Sequence, residues 1–284
     1  MKKILFPTDL SEAAEKAFIY ALQFADELEA DLYTLHVYPK PDLRPGGLSR
    51  TLADFYESYD LEQFQNFKDS IPTLREIQHA QGLDHLNVQH LLKSGRTVQS
   101  IIETASEEAV DMIIMGTTGA RGLKAIFMGS VAGEVLEYAD CPVLAVPENA
   151  RFDGKLDDIA FALSYQEEEI KAFQKVLDLA KPFQANIHCV NVDLAHTSAY
   201  TGRMEQFKTQ LPAYERTRFE VLDGLDVKES LSKYMDEHKL DILAMVTHKR
   251  NFFQELFRYS RAKDLSYYTN VPILSIPAHI LGGS

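Results

Sequence analysis

Asp140-Cys141-Pro142-Val143-Leu144-Ala145-Val146-Pro147 returns 130 positions later as Asn270-Val271-Pro272-Ile273-Leu274-Ser275-Ile276-Pro277. Each copy is a short apolar run bounded by proline, the pattern of a strand buried on both faces. Working back at the same offset, Asp111-Met112-Ile113-Ile114-Met115 falls on Asp241-Ile242-Leu243-Ala244-Met245. Nearer the start the offset becomes 155: Ile4-Leu5-Phe6 lies over Ile159-Ala160-Phe161, and Leu35-His36-Val37 over Val190-Asn191-Val192. The chain is a tandem duplication, and its first half carries 25 more residues between the second and third strands.

Within each half, apolar strands alternate with segments of helical period. Lys3–Phe6 reads as a strand and Ser11 as the cap of the helix that follows, with Glu12 and Glu15 placed where the helix dipole favours acid. Asp31–Tyr38 reads as a strand, Thr51–Gln81 as a long helix, Asn87–Leu92 as a strand and Arg96–Glu108 as a helix. Met112–Met115 is then a buried strand, Gly129–Tyr138 a helix and Val143–Val146 the last strand of the half. The second half repeats the strands at Asp158–Leu163, Asn186–Asp193, Arg218–Leu222, Ile242–Val246 and Pro272–Ile276. Such alternation predicts an α/β protein of two tandem doubly wound, mostly parallel five-stranded sheets. The expected domains are 1–148 and 155–280, with a linker at Pro147–Asp157 where Pro, Asn and Gly interrupt the periodicity.

The 284 residues carry 29 Lys+Arg against 42 Asp+Glu, a net charge of −13 that disfavours nucleic acid and anionic lipid as partners. An anion site built from backbone amides needs no net positive charge and stays open. Two cysteines, Cys141 and Cys189, exclude a disulfide framework or multi-cysteine metal cage and read as structural thiols. The apolar run after Met1-Lys2-Lys3 is too short for a signal peptide, and no stretch approaches the roughly 20 residues that span a bilayer. The expectation is a cytoplasmic protein.

Chemistry concentrates after the fourth strand, in Met115-Gly116-Thr117-Thr118-Gly119-Ala120-Arg121-Gly122 and, seven residues on, Gly129-Ser130-Val131-Ala132. Glycines at a strand exit let backbone approach a phosphate closely, and Gly129-Ser130 opens a helix whose free N–H groups suit an anion. Read singly, each glycine could serve a turn alone. Gly116-x2-Gly119-x9-Gly129-Ser130 is similar to the nucleotide-binding signature of the universal stress protein family. Phe6-Pro7-Thr8-Asp9-Leu10-Ser11 resembles that family's first strand exit, where an aspartate meets the nucleoside. The resemblance extends over nearly the whole chain as two domains of that family's fold.

The resemblance implies ATP as cofactor, alone or with Mg2+. It implies that Asp9, preceded by Pro7 and Thr8 that also border the nucleotide, accepts hydrogen bonds from the adenosine, and that Val37 contacts the adenine. Gly116, Gly119, Gly122, Gly129 and Ser130 would hold the phosphates, Met115 and Val131 would line the pocket, and Arg121 is a further phosphate contact. Without the resemblance, Asp9 reads as a solvated strand-end carboxylate or turn former. Family members commonly dimerise through their last strands, so Val143–Val146 and Ile273–Ile276 are expected to face one another across a pseudo-twofold axis, an intramolecular pseudo-dimer that leaves further homo-oligomerisation open. The second half should lack the site. Its residues at the positions of Gly116, Gly119 and Gly129 are Val246, Lys249 and Tyr259, and Ser164 replaces Asp9. His36 reads as a packed histidine, and His79, His85 and His90 as solvated surface without metal-site spacing. The functional expectation is an ATP-binding regulatory protein of the stress response. A slow ATP hydrolase or phosphotransferase using the same pocket, and a pure protein-interaction module, are the alternatives.

Overall fold

The computed structural model describes residues 3–41, 49–117, 129–194, 199–247 and 271–282. The first half runs β1 (Lys3–Pro7), α1 (Glu12–Glu27), β2 (Asp31–Tyr38), α2 (Ser49–Ala80), β3 (Val88–Ser94), α3 (Thr97–Glu107), β4 (Met112–Gly116), α4 (Ser130–Tyr138) and β5 (Val143–Val146). The second runs β6 (Asp158–Ala162), α5 (Glu167–Phe183), β7 (Asn186–Asp193), α6 (Ala199–Lys208), β8 (Thr217–Asp223), α7 (Val227–His238), β9 (Ile242–Thr247) and β10 (Ile273–Pro277), closed by a 3-10 turn at Ala278–Leu281. The extra length of the first half lies in α2, 32 residues against 10 in α6.

The two five-stranded sheets are one. Strand order is β3-β2-β1-β4-β5-β10-β9-β6-β7-β8, parallel within each half and antiparallel only where β5 meets β10. At that seam Leu144 faces Leu274, with Val143 against Ser275 and Ala145 against Ile273. Leu144 and Leu274 are repeat equivalents, so the pseudo-twofold axis passes between them. The pairing consumes two short apolar edges that would otherwise be open to a second chain.

The duplication reaches into backbone detail. Among the described residues, six that are not glycine have left-handed φ: Leu10, Glu29, Ala109, Tyr165, Gln184 and Lys239. They form three pairs, Leu10 with Tyr165, Glu29 with Gln184 and Ala109 with Lys239, at the offsets read from the sequence. A left-handed residue with a Cβ costs roughly 1–2 kcal/mol, so its recurrence at equivalent turns marks geometry the fold demands. Asp111 Oδ2 accepts from the Lys3 amide at 3.1 Å, and Asp241 Oδ2 accepts from the Asp158 amide at 3.0 Å, the same clamp in both halves.

One face of the sheet carries a continuous core across both halves, running from Phe6, Phe18 and Leu22 through Leu144 and Leu274 to Phe161, Phe173 and Val176. The other face carries two separate cores, one under α3 and α4 and one under α7. The segment expected as a linker belongs to the shared core. Phe152 and Leu156 are buried, and Phe152 packs its ring against Tyr20, Phe24 and Phe183, joining α1 to α5. Its Pro, Asn and Gly break periodicity without making it a free spacer. Both cysteines are buried free thiols, and burial pushes Cys141 up to about 12 and Cys189 further, which fits their structural reading.

Candidate functional site

Parallel pairing of β2, β1 and β4 brings their carboxyl ends to one edge of the sheet. The chain runs outward from β1 to β2 and β3, then returns to the other side of β1 as β4, so a crevice opens between the ends of β1 and β4. Such a switch of strand order is where open α/β sheets bind ligands. Asp9 follows β1, Gly116 ends β4, and Gly129 with Ser130 begins α4.

Thr8 is buried and its amide donates to Leu35 O at 2.9 Å, extending the β1–β2 ladder past the strand end. Its hydroxyl oxygen accepts from the Leu10 amide at 3.0 Å, which holds Leu10 in its left-handed turn. Asp9 is exposed, and its Oδ1 accepts from the Ser11 amide at 3.1 Å and the Ser11 hydroxyl at 2.6 Å. Ser11 Oγ in turn accepts from the Ala14 amide at 3.3 Å as the cap of α1. The expected ligand carboxylate thus also organises its own turn. Pro7 and Val37 are half-buried, and Val37 packs on the core beneath α3.

Across the crevice Met115 is buried, and Gly116 pairs with Val146 as the last residue of β4. Gly129 donates its amide to Thr117 O at 2.7 Å, tying the start of α4 to the residue that follows β4. A Cβ on Gly129 would lie 3.3 Å from that same carbonyl oxygen. Gly129 is also the cap residue of α4 and offers no side chain to its first turn, where Ser130 is exposed and Val131 half-buried. An uncapped first turn at the crevice presents N–H donors and the positive end of the helix dipole to an anion. The residues described there fit a nucleotide phosphate. Gly119, Arg121 and Gly122 lie outside the described residues, as do Lys249 and Tyr259 of the second half.

Two contributors carry little signal in the sequence. Thr117 acts through its carbonyl, which any residue possesses. His36 Nδ1 donates to Thr8 O at 3.0 Å while its ring stacks on Phe67 at 6.2 Å, fixing the carbonyl just before Asp9. Its repeat equivalent Asn191 donates Nδ2 to Leu163 O at 2.8 Å, so a side-chain donor holds the same carbonyl in each half. Of the other histidines, His79 pairs with Asp84 and His85 with Asp26 on the surface. His90 departs from the solvated reading: it is half-buried, hydrogen-bonded to Thr34 Oγ1 at 2.8 Å, and its pKa is lowered by burial and then by Arg75.

The corresponding strand exit of the second half is filled from within. Glu169 is buried, and its carboxylate accepts from the amides of Ser164 at 2.8 Å and Gln166 at 2.8 Å, a capping box that ties α5 to the end of β6. The first half has Ala14 at that position. Burial holds the Glu169 carboxyl above the usual carboxylate range, outweighing the amides that favour its charged form. A raised folded-state pKa adds stability at low pH that is lost as pH rises through that value. Thermal denaturation should therefore show the wild type losing its advantage over Glu169→Gln as pH rises above the ordinary glutamate value of about 4.3. An advantage that grows with pH would contradict this.

The Universal stress protein family matches residues 1–147. A universal stress protein of Methanocaldococcus jannaschii is 31% identical over 148 residues, covering 51% of this chain and 81% of the relative. A second from the same organism is 28% identical over 155 residues, covering 51% of this chain and 94% of the relative. Over the full length, a universal stress protein of Archaeoglobus fulgidus aligns with a TM-score of 0.71 at 19% identity, covering 97% of this chain and 98% of that one. At that identity the likeness concerns the fold. Among the described residues, no helix is long and apolar enough to cross a membrane.

Proposed function

The chain belongs to the universal stress protein family, and from that membership we propose that it is an ATP-binding regulatory protein of the stress response, holding one nucleotide in domain 1–148. Domain 155–280 is its degenerate partner, and the same reading places the protein in the cytoplasm. The observation that carries it is the difference between the two halves. The first offers an uncapped helix start at a strand-switch crevice, with Asp9 on the opposite wall. The second spends its strand-exit amides on Glu169 and sets the buried side chain of Val246 where Gly116 stands in the first.

In this reading the amides at the start of α4, together with Gly116, Gly119, Gly122, Ser130 and Arg121, hold the phosphates, with or without Mg2+. Asp9 accepts from the nucleoside, and Pro7, Thr8, Val37, Met115 and Val131 shape the pocket. Native mass spectrometry and calorimetric titration test the proposal. One ATP per chain is expected, whereas two of comparable affinity would remove the distinction between the halves, and none would remove the site. Turnover of bound ATP well above its rate in water would move the assignment to a hydrolase or phosphotransferase.

A further inference from the structure

Helix α2 has no counterpart of its length in the second half, and it carries three of the large exposed apolar side chains, Phe55, Leu61 and Phe64. Phe55 stacks on Tyr59 and lies apart from the other two around the helix. Leu61 is 67% exposed and Phe64 53% exposed. Glu57, Leu61, Phe64 and Lys68 are separated by four, three and four residues, which sets them in one stripe along the helix. Asp54 extends the stripe at its amino end, and all five residues are exposed. The stripe is therefore acidic, then apolar, then basic.

That order is self-complementary. Laid antiparallel on itself about a point between residues 62 and 63, the stripe sets Leu61 against Phe64 of the second copy and Glu57 against Lys68 of the second copy. We propose that this face of α2 is the contact by which two copies of the chain associate. Because the stripe occurs once per chain and matches itself, the contact is isologous and closes at a dimer. Its apolar centre is small, which places it among weak interfaces, with the charges selecting the antiparallel register. The contact is independent of the β5–β10 seam, which is consumed within the chain.

Sedimentation velocity on the full chain tests this, with far-UV circular dichroism verifying that each variant is folded. The wild type should form dimers by about 100 µM. Glu57→Lys and Lys68→Glu should each weaken dimerisation by about tenfold or more, since a twofold axis introduces each change twice. The double variant Glu57→Lys/Lys68→Glu should recover it, because the pair is restored with its signs exchanged. Leu61→Ser/Phe64→Ser should abolish it. A monomeric wild type, including one whose stripe binds a different protein, overturns the proposal. So does a dimer indifferent to Leu61→Ser/Phe64→Ser, or a double reversal as weak as the single ones.

Discussion

Leu144→Ala should cost about 2–5 kcal/mol of folding stability, and Leu274→Ala a similar amount. Both side chains are essentially inaccessible, and they face each other at the centre of the seam. Each deletion leaves a cavity within the core that continues from one half of the sheet into the other. Because the two share that space, the double variant should fall short of the sum of the single ones. Urea denaturation measures the effect through the shift in midpoint at constant slope. A loss below about 1 kcal/mol for either single variant would mean that the seam is loosely packed. The continuous core and the buried Phe152 make a further demand: wild-type unfolding should appear as a single transition.

Asp9→Ala should weaken ATP binding by about 10–150-fold, the effect of losing hydrogen bonds to a charged acceptor. The structure supplies its control. Asp9 also accepts from Ser11, which caps α1, so the substitution could act through the turn alone. Ser11→Ala removes the hydroxyl's bond to Asp9 and the cap of α1, and keeps the carboxylate with its bond from the amide of residue 11. If Asp9 meets the nucleoside, Ser11→Ala should leave affinity within about threefold of wild type. Equal losses in the two variants would reassign Asp9 as a turn former. Gly129→Val should be more damaging than either. Its Cβ meets the Thr117 carbonyl that accepts from its own amide, and a branched side chain there adds bulk immediately before the first turn of α4.

The repeat, the strands and the placement of Asp9, Gly116 and Gly129 at strand exits and a helix start are all legible in the residue order. They rest on local rules, namely apolar runs for buried strands, serine and acid at a helix start and glycine at a tight exit, each needing only neighbours along the chain. Observed strand ends differ from the expected ones by one or two residues, because pairing partners set where a ladder stops. Met112–Gly116 gains its last residue by pairing with Val146, and Ile242–Thr247 gains Thr247 by pairing with Pro277.

The residue order alone establishes that there are two halves, that each alternates strand and helix, and that the glycines of the first half's strand exit have no match in the second. That the two sheets are one follows from folding and not from residue order, because the register that sets Leu144 against Leu274 depends on how two distant edges meet. Folding also decides that Phe152 is core and not linker, since burial depends on what packs around a ring and not on the prolines and glycines beside it. The roles of His36 and Glu169 belong to the same class. Each satisfies main-chain groups at a strand exit, and only folding brings those groups within a hydrogen bond of the side chain.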